Sequence, residues 1–140
     1  FKMTHKIISK FIKDITFEIP SAETFVMLDK EIKKYSLVFD VSSKNFKRNI
    51  IEVNLILKLI PKQETKRKIN VEINVTALVS IKGDLKDNKA IEKIILVNVP
   101  TDLYPMLYDT FVYLFNKSGI EKIGIKKEVN FENLPREKIK

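Results

Sequence analysis

Apolar and polar residues alternate along four stretches of this chain. From Phe11 to Pro20, Phe11, Ile15, Phe17 and Ile19 are set against Ile12, Asp14, Thr16 and Glu18. A period of two predicts a half-buried strand, because successive side chains of an extended chain point to opposite sides. Pro20 has no amide to donate and closes the strand. Tyr35, Leu37, Phe39 and Val41 repeat the pattern. It resumes at Ile51 and runs through Val53, Leu55, Leu57 and Leu59. The longest row runs from Ile69 through Val71, Ile73, Val75, Ala77 and Val79 to Ile81, opposite Asn70, Glu72, Asn74, Thr76 and Ser80. SSKNFKRN at 42–49 reads as a turn or bulge, and PKQETKRK at 61–68 as a charged connection. Strands with one apolar and one polar side predict an antiparallel sheet covered on one face.

After the sheet the period changes. Leu103, Leu107, Phe111, Leu114 and Phe115 recur at helical spacing up to Lys117. Thr101 or Asp102 is placed to cap this helix, with Pro105 in its first turn and Gly119 as a left-handed end. The stretch 22–34, after Ser21, fits a short helix or an irregular crossover. The stretch 89–99 fits either helix or strand. The expected fold is a single α+β domain over 1–140: a four-stranded antiparallel sheet with a long helix packed on one face. The helix has wide apolar cover, so Leu103, Leu107, Phe111 and Leu114 are also expected to form an oligomer contact.

Composition narrows the chemistry. The chain has 140 residues, 26 basic and 18 acidic groups, and a formal charge of +8. Residues 36–70 hold most of the excess, with eight basic and three acidic groups. The basic groups cluster at Lys44–Arg48 and Lys58–Lys68. Such charge raises the question of nucleic acid, but no recognised motif accompanies it and nucleic-acid binding is not expected. There is no cysteine, hence no disulfide or thiolate site. No apolar run is long enough to span a membrane, and no secretory leader is visible. Three glycines, at 83, 119 and 124, cannot build a phosphate loop. His5 is the lone histidine and has no recognisable partners, so no metal or catalytic site is expected. Asp14 and Glu18 stand about 13 Å apart along an extended strand, too far for paired-carboxylate catalysis. Nine Phe and four Tyr exceed what a small core needs. Some of them could line a groove for apolar peptide segments. Binding is therefore the better reading than catalysis, and neither enzyme activity nor a cofactor is expected.

Four segments in order resemble one family. KDITFEIPSA at 13–22 resembles the first strand of the SecB protein-export chaperones. The segment 51–81 lies on the SecB sheet pattern without gaps. VPTDLYPMLYDTFVYLFNKSG at 99–119 resembles the family's C-P-N-x-L-F-P-Y-A-R-E helix, with Pro100, Leu103, Tyr104 and Pro105 in matching places. VNFENL at 129–134 resembles its V-N-F-D-A-L.

The resemblance implies an ATP-independent, cytoplasmic holding chaperone, assembled as a dimer or as a dimer of dimers through its long helix. Its clients would be unfolded or nascent chains. An apolar groove for them would fall on Tyr35, Leu37 and Phe39. A docking face for the SecA motor would fall on Asp14, Glu18 and Glu72. The alternative is a SecB-like chaperone dedicated to one partner, such as the antitoxin of a toxin–antitoxin system. Three features depart from the family. SecB proteins are usually acidic, whereas this chain is basic, which puts SecA in question. A Trp common before the second strand is missing. The C-terminal helix expected beyond VNFENL reads as truncated or absent.

Overall fold

The computed structural model describes residues 3–120 and 123–134. In chain order the elements are β1 (Thr4–Glu18), α1 (Ala22–Glu31), β2 (Tyr35–Lys47), β3 (Ile50–Pro61), β4 (Asn70–Lys82), α2 (Asn88–Lys93) and α3 (Val99–Lys117). A 3-10 turn at Ile32–Lys34 follows α1, and another lies at Phe131–Asn133. The strands form one antiparallel sheet in the order β1-β4-β3-β2. β3 and β4 are therefore paired on both sides, while β1 and β2 are edges.

The alternating apolar rows face one side. Val53, Leu55 and Leu57 of β3, and Ile73, Val75, Ala77 and Val79 of β4, have no exposed surface. Leu103, Leu107, Phe111 and Phe115 of α3 lie against that side and are equally buried. Residues four apart share a helix face, so the four make one stripe. Burying a large apolar side chain stabilises by about 1.5–3 kcal/mol, which makes this contact the core. The helices all lie on this side, and the other face of the sheet stays open. The expected fold class is the observed one.

Two local predictions need correction. β1 does not keep one phase. Register shifts fall between Ile7 and Ser9 and between Ile12 and Asp14, leaving Ile8 and Lys13 without partners in β4. Ile15 and Phe17 oppose Ile73 and Val71 on the helix side, as expected. Beyond the bulge, Ile12 takes the helix side opposite Val75, and Phe11 takes the open side opposite Thr76. Phe11 and Ile12 are adjacent apolar residues, so alternation carries no marker of phase there.

The long helix does not start at a cap on Thr101 or Asp102, so Pro105 lies inside it rather than in its first turn. α2 runs through a π-helical turn at Ile94–Asn98 straight into α3. Pro100 has no amide for a carbonyl one turn back, and its ring crowds that carbonyl. The wider π turn just before it accommodates this. Thr101 instead bonds back, its Oγ1 donating to the Val97 carbonyl at 2.6 Å. Gly119 ends the helix at φ +88°, as its sequence position predicts.

The 129–134 motif returns to the core. Phe131 is buried, and its ring meets the edges of Phe39 and Tyr104 at centroid distances of 5.9 and 6.0 Å. The Tyr104 hydroxyl donates to the Lys126 carbonyl and ties the same segment down. Phe131→Ala should therefore destabilise the whole fold by about 3–5 kcal/mol. Urea titration checks this. A change below 1 kcal/mol would mean that the segment is not part of the cooperative unit.

Candidate functional site

The open face is built in rows, because directly opposed residues of antiparallel strands share a face. Asp14 lines up with Asn74, Ile56 and Asp40. Thr16 lines up with Glu72, Lys58 and Val38, and Glu18 with Asn70. Asp14, Glu18 and Glu72 thus occupy three successive rows on one face near the β1 edge. Glu18 accepts from Asn70 Nδ2 at 2.7 Å. Lys58 bridges Asp40 and Glu72 at 3.6 and 3.8 Å.

A polar cluster occupies the middle of this face. Lys13, the bulge residue, donates from Nζ to Glu52 Oε2 at 2.8 Å. Asn54 Nδ2 donates to the same oxygen at 2.9 Å, and Thr76 Oγ1 lies 2.6 Å from Asn54 Oδ1. Glu52, Asn54 and Thr76 are buried in the sheet surface, yet each is satisfied. The hydrogen bonds from Lys13 and Asn54 hold the Glu52 carboxyl below its ordinary value. Burial opposes them, and the charges of Lys13 and Lys44 assist. Sequence alternation marked these positions as polar, but it gave no sign that the bulge delivers Lys13 to Glu52.

Tyr35, Leu37 and Phe39 lie on the helix side, opposite Pro61, Leu59 and Leu57. All three are half-buried against the core. Phe39 is spent on Tyr104 and Phe131. Tyr35 accepts the Ile69 amide at 3.0 Å and lines a cavity of about 520 Å³. Met27, Leu28 and Pro61 also line it. Beside it α1 exposes Phe25, Val26 and Met27. Sequence reasoning missed α1 as a site element because its apolar residues, Phe25 to Leu28, fall in one unbroken run without a helical stripe.

The oligomer contact requires correction. Leu103, Leu107 and Phe111 have no accessible surface within a single chain, so they are unavailable to a second one. Of the four, only Leu114 is partly exposed. The fully buried stripe of α3 serves the chain's own sheet, while Met106, Val112 and Leu114 are only partly buried. β1 exposes Ile8, Phe11, Ile12 and Ile15, while α3 exposes Tyr113. Among the described residues no group of three or more His, Cys, Asp or Glu is placed to hold a metal. No described helix is long and apolar enough to cross a membrane.

The depressed Glu52 carboxyl sets a pH dependence. Its stabilisation is present above the ordinary value of 4.5 and is lost as pH falls below it. The native protein should therefore lose stability on acidification more steeply than Glu52→Gln. Denaturation midpoints from neutral pH down to about pH 3 measure this. Parallel curves would remove Glu52 from the acid response.

Residues 2–140 match the family model described as preprotein translocase subunit SecB. A protein-export protein SecB of Pelagibacter ubique is 38% identical over 134 residues, covering 96% of each chain. A solved Mycobacterium tuberculosis SecB-like chaperone, in complex with a ChAD peptide from the HigA1 antitoxin, shares the fold. Its TM-score is 0.62 at 12% identity, covering 87% of this chain and 88% of that one. With the family model spanning nearly its whole length, the chain belongs to the SecB family.

Proposed function

We propose that this chain is an export chaperone that holds unfolded or nascent polypeptides without ATP. The observation that carries the reading is the cavity of about 520 Å³ beside the exposed Phe25, Val26 and Met27. An extended client would seat apolar side chains against Met27, Leu28 and Tyr35. Buried area would supply affinity at roughly 25 cal/mol per Å². The free edge of β2 adjoins the cavity and offers main-chain pairing. Binding is not coupled to any reaction, and the protein works in the cytoplasm.

Tyr35 forms part of the groove wall, and Leu37 and Phe39 continue its row along β2. The exposed apolar side chains of β1 suit a homo-oligomer built across that edge, a dimer or a dimer of dimers. The open-face acids Asp14, Glu18 and Glu72 suit docking on SecA. A second reading, a chaperone dedicated to one partner such as an antitoxin, is favoured by the antitoxin peptide seen with the mycobacterial chaperone of similar fold.

Dilution of an unfolded model client tests the proposal, on a sample whose mass is known from sedimentation. Suppressed aggregation at near-stoichiometric amounts, without ATP, is the expected result. Met27→Asp, on the exposed side of α1, should weaken suppression several-fold with the melting temperature little changed. A folded sample with no suppression would favour the dedicated-partner reading, and a stable monomer would remove the oligomer. The docking face is tested separately by Glu18→Lys, which should abolish capture by SecA. Capture at native strength would exclude Glu18 from that contact.

A further inference from the structure

On the helix side β2 carries Tyr35, Leu37, Phe39, Val41, Ser43 and Asn45 in one row. The row starts at one cavity and ends at another. Tyr35 lines the cavity of about 520 Å³ beside α1. Ser43 and Asn45 line a second, of about 490 Å³, between the β2–β3 hairpin and α2. Ile51 and Ile81 of the sheet, on the same side as the row, face it together with Ile91 and Ile95. Leu85 also lines this second cavity and is itself exposed.

Between the two cavities the chain's own side chains fill the row. The rings of Tyr104 and Phe131 pack against Phe39, and Val41 has no accessible surface. Among the described residues no strand pairs with the outer side of β2. Such an edge presents alternating N–H and C=O groups, a pattern of partial charge that another extended backbone complements along its length.

We infer that the site measures the segment it holds: an extended polypeptide lies along the β2 edge with one apolar side chain in each cavity, and its two anchors stand eight or ten residues apart. The inference rests on the holding reading proposed above and specifies the segment held. Paired strands advance residue for residue, so the anchor spacing copies the row: 43 − 35 gives eight and 45 − 35 gives ten. At about 3.3 Å per residue the anchors span roughly 26–33 Å. The spacing must be even, because side chains an odd number apart point to opposite faces of a sheet. The middle of the segment is read through its backbone, and its ends through their side chains. Once one anchor is seated, the other engages at high effective concentration.

Fluorescent peptides of threonine, serine and glutamine test this on the full chain. One carries a single leucine, and three carry two leucines at spacings of eight, nine or ten. Anisotropy titrations give the affinities. The even spacings should bind about tenfold more tightly than the odd spacing or the single leucine, the gain from burying one more leucine. Leu85→Asp, shown to be folded by its circular dichroism, should remove that advantage and leave the single-leucine affinity unchanged. Equal affinities at all three spacings, or an advantage that survives in Leu85→Asp, would overturn the inference and leave holding intact. Binding of none of the peptides would overturn the inference, and the holding reading with it where client aggregation also goes unsuppressed.

Discussion

Leu103, Leu107, Phe111 and Phe115 lie without accessible surface against the buried rows of β3 and β4. One helical stripe on one sheet face is the constraint from which the rest follows. It covers one side of the sheet only, so the other side remains open for polar chemistry. It uses up these four residues of α3, and exposed apolar side chains gather on α1 and β1. The π turn before Pro100 belongs to the same constraint, since it lets a proline-bearing helix run on across the sheet.

The open face is polar without being loose. A carboxylate, two amides and a hydroxyl sit in the pleats of the central strands, each bonded to a neighbour. Leaving one of them unpaired would cost about 1–3 kcal/mol. Their mutual satisfaction keeps the sheet rigid and presents its outer charges at fixed positions. Acids gather toward the Glu18 end and cations toward the hairpin, which gives one face two different poles.

Much of this was legible in the sequence. The strands of the core announce themselves because Val, Ile and Leu alternate with Asn, Glu and Thr, and the sheet covers one face only. The acids Asp14, Glu18 and Glu72 could be placed on one face from parity within each strand. Parity fails where two apolar residues adjoin, and so the position of Phe11 was lost. Helical spacing located α3 but could not say what its wide apolar side would touch. A stripe facing its own sheet and a stripe facing a partner look alike in one dimension. The cavities were illegible for a similar reason, since each is walled by elements distant in the chain. Tyr35 shares one cavity with α1 and the β3–β4 connection, and Lys44 and Lys47 share another with Ile91 of α2.

The bulges in β1 have a consequence for how the strand can change length. Ile8 and Lys13 have no partner in β4, while the residues on either side of each are already paired. Loss of either one would leave every other pairing and every other side chain on its present face. A deletion elsewhere in the ladder would turn part of the strand inside out. β1 therefore contains two positions where evolution can add or drop a single residue without rewriting the fold, and at one of them the added residue has acquired a role as the lysine that holds Glu52.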